Sequence, residues 1–120
     1  MHILTQILIA IIALLHLYFL YLEMFAWTTR GPKVFRQFPK DLFEPTKQLA
    51  SNQGLYNGFL SAGLIWSLCI QDVAWSIYVA IFFLSCVSVA GIYGAITASK
   101  KIFYIQALPA IVALVLIHLL

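Results

Sequence analysis

Residues 73–97 read VAWSIYVAIFFLSCVSVAGIYGAIT, a run of 25 residues that contains no Asp, Glu, Lys or Arg. A helix of that length rises about 37 Å at 1.5 Å per residue. The hydrocarbon core of a bilayer is about 30 Å thick and needs about 20 apolar residues to cross it. The run therefore predicts a transmembrane helix over residues 73–97.

The composition of the whole chain agrees with a membrane location. Of its 120 residues, 63% are hydrophobic and only 9% are charged, whereas a soluble domain has about 45–50% apolar and about 25% charged residues. A domain of this size buries too little of its surface to hide such an excess inside one core. We therefore predict a single membrane domain over residues 1–120, with the lipid bilayer as its partner.

Three further apolar stretches accompany the first, at about residues 3–27, 52–70 and 102–120. The predicted fold class is thus all-α, a four-transmembrane-helix bundle. Helices 2 and 3 are separated only by a tight turn at Gln71 and Asp72. The longer loop 28–51 mixes basic residues with Phe and Leu and is interrupted by prolines. This pattern predicts a short, basic, amphipathic loop that lies at the membrane interface.

The basic residues give the orientation. All seven Lys and Arg residues lie in the first and third loops, five in the first and two in the third. Because Lys and Arg concentrate on the cytoplasmic side of membrane proteins, both loops are predicted to be cytoplasmic. The chain is then a multi-pass protein of the cell membrane with both termini outside. No basic stripe marks a folded face, so nucleic acid is excluded as a partner.

Polar residues inside the predicted helices are the candidate site. His16 and Glu23 are seven residues apart and share one face of helix 1. Ionisable groups at such depth are costly and usually face a bundle interior or a wet cavity. Polar residues of the other helices lie within about two turns of the same cytoplasmic ends. We predict a polar cavity lined by His16, Glu23, Gln53, Asn57, Tyr93 and Gln106.

Simpler interpretations of these residues stay open. Glu23 could reach the membrane surface or pair with Arg30 or Lys33, and His16 could be a neutral histidine that bridges two helices. The whole polar layer could also be interhelical hydrogen bonds, which contribute about 0.6–2 kcal/mol each in membranes. Interhelical hydrogen bonds can be made by neutral side chains and do not need a carboxylate or a histidine. The presence of both therefore favours a cavity.

Glycines at helical spacing predict close contacts between helices, because a residue without a side chain lets backbones approach. The predicted packing residues are Gly54, Gly58, Gly91 and Gly94. The three histidines are not spaced as a metal set, so we expect neither a metal nor a cofactor. Cys69 and Cys86 lie at different depths, and we expect two free thiols.

Four segments carry a family resemblance. They read LEMFAWTT at residues 22–29, NQGLYNGFL at residues 52–60, AGIYGA at residues 90–95 and QALPA at residues 106–110. Together with His16, seven residues before Glu23, they resemble a widespread bacterial and fungal family of small four-helix membrane proteins of unknown function. The resemblance spans nearly the whole chain and implies a four-helix fold, but it implies no substrate.

Three functions remain possible from the sequence. The first is a binding or catalytic cavity for a small or lipid-soluble molecule, in which Glu23 is an acid, a base or a cation partner. The second is a structural or assembly subunit, as a homo-oligomer or within a larger membrane complex. The third is a small proton-coupled transporter. The strong charge bias weighs against a dual-topology transporter dimer, and whether the protein is an enzyme stays open.

Overall fold

In a computed structural model that describes residues 1–120, the protein contains helices and no strands, which confirms the all-α prediction. The α-helices are α1 (Ile3–Phe25), the one-turn α2 (Gly31–Val34), α3 (Lys47–Cys69), α4 (Val73–Thr97) and α5 (Leu108–Leu119). A 3-10 turn covers Lys40–Leu42, and a π-helical segment, Phe103–Ala107, directly precedes α5.

Two of these helices, α1 and α4, are long and apolar enough to cross a membrane, judged by length and composition. The apolar segment Phe103–Leu119 is shorter than a typical span. Helix α3 has 23 residues, but polar residues fill its first half. The structure therefore offers two candidate membrane spans, fewer than the four that the sequence predicts.

The helix boundaries differ from the predicted ones mainly beside the first loop. Helix α4 begins and ends as predicted, whereas α3 begins at Lys47, five residues before the predicted start. Hydropathy hides this extra turn because Lys and Gln form helices well although they are polar. Helix α1 ends two residues early, since the chain turns where Arg30 N and Gly31 N both donate to the carbonyl oxygen of Ala26, at 3.0 and 2.8 Å.

The π-helical segment was not predicted, and Pro109 explains its position. Proline lacks an N–H, and its ring clashes with the carbonyl group four residues earlier in an α-helix. A wider turn just before the proline relieves that clash. In the π segment the N–H of Leu108 donates to the carbonyl oxygen of Phe103, five residues before it.

The chain divides into two compact units, and the boundary falls inside α1 and inside α3. The first unit comprises Met1–Leu14 with Leu60–Leu120. Serine hydroxyls satisfy backbone carbonyls in its interior, where Ser61 Oγ donates to the oxygen of Ala13 at 2.8 Å. Its apolar core consists of Ile9, Ile12, Ala13, Leu64, Ala80, Leu84, Val87, Ala110 and Ala113. The single domain over residues 1–120 stays a prediction.

The second unit, Leu15–Phe59, contains the basic loop, which is folded around Trp27. We call residues 27–46 the Trp27 cap. The indole packs against Phe35, Phe38 and Phe43, with ring centroids 4.8–5.6 Å apart, and its Nε1 donates to Thr46 Oγ1 at 3.0 Å. Phe43 is buried. The aromatic side chains of the loop thus pack on one another and form a small core of their own.

Candidate functional site

Helices α1 and α3 lie in very close contact within the second unit. A Cβ atom added at Gly54 would lie 2.7 Å from Met24 Cγ, 3.0 Å from Glu23 Cβ and 3.2 Å from the carbonyl oxygen of Leu20. One added at Gly58, a turn later, would lie 2.6 Å from Leu20 Cδ1. Only glycine fits this approach without moving the neighbouring side chains. The contact fixes which α3 residues face the last two turns of α1.

Glu23 and Asn57 meet beside these glycines. Asn57 Nδ2 donates to Glu23 Oε1 at 2.6 Å, at the short end of the range for N–H···O hydrogen bonds. Asn57 is 7% exposed and Glu23 is half-buried. The partner of the carboxylate is therefore an amide on the neighbouring helix. One amide N–H satisfies only part of a carboxylate's capacity to accept hydrogen bonds.

His16 is fully buried, two turns before Glu23 on α1. Its ring meets the edge of Phe19, with centroids 5.5 Å apart and an interplanar angle of 75°. Burial of an imidazole requires a hydrogen-bond partner or a large desolvation cost. His16 thus belongs to the interior of the protein, and its role in a polar cavity stays a prediction.

The other three predicted site residues lie in different surroundings. Gln53 and Tyr93 have exposed side chains, and Tyr93 retains 68% of its surface. Gln106 is half-buried and lies in the π-helical segment. Tyr93 and Gln106 belong to the first unit, whereas Glu23 and Asn57 belong to the second. Among the six, the structure joins Glu23 and Asn57 by a hydrogen bond.

The remaining predicted packing glycines lie in the first unit. A Cβ added at Gly91 would lie 2.6 Å from the backbone N of Ala107 and 2.8 Å from its Cβ. One added at Gly94 would lie 3.0 Å from Ile102 Cγ2. Gly91 therefore brings α4 directly against the backbone of the π-helical segment.

Comparison with known proteins places this chain in a family. A family model described as a protein of unknown function, DUF1304, matches residues 10–118. The chain belongs to the DUF1304 family. Uncharacterized protein YpaA of Lactococcus lactis subsp. lactis (strain IL1403) is 37% identical over 117 residues, which cover 96% of this chain and 97% of YpaA. No solved structure matches the chain.

Membership in DUF1304 confirms the resemblance to a family of unknown function. The four motifs that carried the resemblance stay a prediction as the signature of that family. The family description names no ligand or reaction, so the function of this DUF1304 protein has to be inferred from its own residues.

Two residues that matter for packing in this DUF1304 protein were missed by the sequence reasoning. A Cβ added at Gly63 would clash with the ring of Phe83, and Ser61 Oγ donates to the backbone of α1. Both are buried. A signal for Ser61 was available, because Gly54, Asn57, Ser61 and Leu64 follow the three-to-four spacing of one helix face.

Two pockets open on the first unit. One, of about 170 Å³, has a partly polar lining that includes Gln6, Gln71 and Ser76. The other, of about 320 Å³, is an apolar groove along α5 beside His118. No group of three or more His, Cys, Asp or Glu side chains could hold a metal ion. Cys69 and Cys86 are both free thiols.

Proposed function

We propose that this protein crosses the cell membrane four times, with both termini outside. We further propose that its Glu23–Asn57 pair binds a small or lipid-soluble molecule from the cytoplasmic side. The observation that carries the binding proposal is the carboxylate itself. Glu23 is the only residue of α1 with a formal charge, and it is held by a single amide from α3.

The exposed apolar surface supports membrane insertion. Along α1 the exposed side chains include Ile3, Ile7, Ile11 and Leu14, which recur at the three-to-four spacing of one helix face. Only 28% of the apolar window of α1, and 28% of that of α4, is buried inside the protein. A core helix of a soluble protein would turn such a face inward, so lipid is the natural environment for these helices.

Exposed aromatic residues near helix ends support the same placement. Trp66 precedes the end of α3 by one turn, and Trp75 lies in the first turn of α4. At the opposite ends, Tyr21 and Tyr93 lie one turn before α1 and α4 finish. Trp and Tyr gather at the two membrane interfaces because their rings are apolar at one end and polar at the other.

Helix α3 can serve as a span although its hydropathy is low. Its 23 residues rise about 35 Å, enough for a hydrocarbon core of about 30 Å. Gly54 and Asn57 face α1, so part of its polarity is hidden from lipid. Segment Phe103–Leu119 is the fourth proposed span, which its short length allows if the bilayer thins locally.

The proposed topology is tested by the accessibility of tags in intact cells. A peptide tag at either terminus is expected to be digested by external protease, whereas one inserted between Lys100 and Lys101 is expected to be protected. Protection of a terminal tag together with digestion of the inserted tag would overturn the orientation.

The binding proposal is tested with two amphiphiles of equal chain length. Dodecylamine offers a cationic hydrogen-bond donor for Glu23, whereas dodecanol is neutral. We expect dodecylamine to raise the melting temperature of the purified protein more than dodecanol does. The difference should vanish in Glu23→Gln and persist in Glu44→Gln, a matched change at an exposed acid of the first loop. An equal response of wild type and Glu23→Gln would overturn the proposal.

A structural or assembly subunit is the second candidate, and the close contact at Gly54 favours it. The Glu23–Asn57 hydrogen bond lies beside that contact and could serve only to hold α1 against α3. In that case Glu23→Gln, which keeps a side-chain oxygen to accept the Asn57 bond, would leave stability unchanged. Neither amphiphile would then distinguish the variant from wild type.

A further inference from the structure

The Trp27 cap presents exposed charge together with a small exposed apolar surface at Val34 and Leu42. All five basic side chains of the first loop are exposed, whereas Phe43 is buried and Phe35 and Phe38 are half-buried around Trp27. The sequence predicts a short, basic, amphipathic loop that lies at the membrane interface. In the structure the three phenylalanines contact the indole, so these rings pack inside the cap and the five basic side chains are left exposed.

The charge of the protein is concentrated in this loop. Five basic and two acidic side chains give residues 28–51 a formal charge of +3, equal to the net charge of the whole chain. The other two basic residues, Lys100 and Lys101, form a smaller positive cluster in the third loop. The larger excess of positive charge therefore lies in the first loop, and four of its five basic residues belong to the Trp27 cap, which joins two proposed membrane spans.

Arg36 and Lys33 lie three residues apart in the Trp27 cap. Arg36 Nε donates to the carbonyl oxygen of Lys33 at 3.2 Å, which leaves the two terminal amino groups of the guanidinium available. Those groups match the geometry of a phosphate bidentately, and a lysine supplies a further point charge. Both side chains are exposed, so a phosphate can reach them from outside the protein.

We propose that the Trp27 cap binds the phosphate of anionic lipid headgroups in the cytoplasmic leaflet, with Arg36 and Lys33 as its principal contacts. This rests on the membrane topology proposed above. A lipid is favoured over an acidic protein because the cap connects α1 to α3, which keeps its cations beside the headgroups. Each Lys or Arg near such a surface is attracted to it, and the attraction weakens within a Debye length, about 10 Å at 0.1 M salt.

The test is a competition between two lipids for the full-length protein. The purified, delipidated chain is mixed with equal amounts of phosphatidylglycerol and phosphatidylcholine with identical acyl chains, and bound lipids are counted by native mass spectrometry. We expect wild type to bind phosphatidylglycerol in preference. The preference should fall about fivefold in Arg36→Gln and further in Lys33→Gln/Arg36→Gln. Lys100→Gln/Lys101→Gln removes the same charge elsewhere and should retain it.

Several results would overturn the proposal. Equal binding of the two lipids by wild type would do so, as would an equal loss in the two double variants. Displacement of phosphatidylglycerol by an equal concentration of glycerol phosphate would assign the site to free phosphate. Binding of polyglutamate without any lipid preference would assign it to an acidic protein. Release of the protein from membranes by alkaline extraction would instead refute the proposed topology.

Discussion

Two helix contacts in this protein use glycine in the same way but differ in their chemistry. At Gly54 the neighbours are Met24 and Glu23, and the Glu23–Asn57 hydrogen bond runs beside the contact. At Gly91 the neighbour is the backbone of Ala107, and neither α4 nor segment Phe103–Leu119 carries an Asp, Glu, Lys or Arg residue. Close helix packing in this chain thus does not require a carboxylate. The carboxylate at the first contact therefore calls for another role, which is why we propose binding there.

The largest effect is expected at the contact without a carboxylate. Gly91→Ala places a methyl group against backbone atoms of Ala107, which cannot rotate away, so we expect a loss of about 3 kcal/mol or more. The measurement is reversible unfolding by dodecyl sulfate in mixed micelles. Gly94→Ala is the control, because its neighbour is the Ile102 side chain. Equal stability of the two variants would contradict the close backbone approach.

A smaller loss is expected at the contact that carries Glu23. Gly54→Ala brings a methyl group onto Met24 and Glu23, whose side chains can shift in part, so we expect a loss of about 1–3 kcal/mol in the same assay. Gly58→Ala should cost less, since only the flexible end of Leu20 lies within close range. If Gly54→Ala leaves the free energy of unfolding unchanged, then α1 and α3 are not in contact at Gly54, and the comparison of the two glycine contacts fails.

The hydrogen bond between Glu23 and Asn57 can be measured by a double-mutant cycle. We expect Glu23→Ala and Asn57→Ala to couple by about 0.6–1.7 kcal/mol, the range for hydrogen bonds between membrane helices. Gln53→Ala serves as the control partner, since Gln53 lies one turn earlier on α3 and is exposed. Coupling of Glu23 to Gln53 as strong as that to Asn57 would contradict the observed geometry.

The smallest effect is expected in the Trp27 cap. Thr46→Val removes the hydroxyl that accepts from Trp27 Nε1 and donates to the carbonyl oxygen of Leu42 at 2.7 Å. We expect a loss of about 1 kcal/mol and a change in tryptophan emission. Thr97→Val is the matched control, because that hydroxyl only donates to the carbonyl oxygen of Tyr93 in its own helix. Unchanged emission in Thr46→Val would show that the indole does not depend on Thr46.

Much of the fold could be predicted because it depends on local properties. The ends of α4 follow from its apolar run and from Asp72, whose Oδ1 accepts from the N–H of Trp75 at 3.0 Å and caps the helix. The early start of α3 at Lys47 and the π-helical segment before Pro109 were not predicted. Hydropathy values do not report the helix propensity of polar residues such as those at the start of α3. A proline indicates that a helix is distorted nearby but does not specify whether the distortion is a kink, a break or a π-helical turn.

The candidate site could be predicted only in part. Depth along each helix brings five polar residues into one predicted layer, to which His16 is added by its helix face, but depth carries no information on how a helix is rotated about its axis. Gln53 and Asn57 share a face of α3 by spacing, yet Asn57 meets Glu23 and Gln53 is exposed. That choice depends on Gly54 and Gly58 packing against Leu20 and Met24, a contact between residues about thirty positions apart.

By itself the sequence determined the helical class, the charge-free run of α4 and the concentration of positive charge in one loop, because composition, length and charge are read residue by residue. Only the tertiary structure decided that Asn57 is the partner of Glu23 and that the aromatic residues of the first loop pack around Trp27. Both outcomes depend on contacts between side chains that are distant in the sequence. Which of these contacts form depends on how closely the elements pack. At Gly54 the missing side chain lets α3 approach α1 closely enough for Asn57 to reach Glu23.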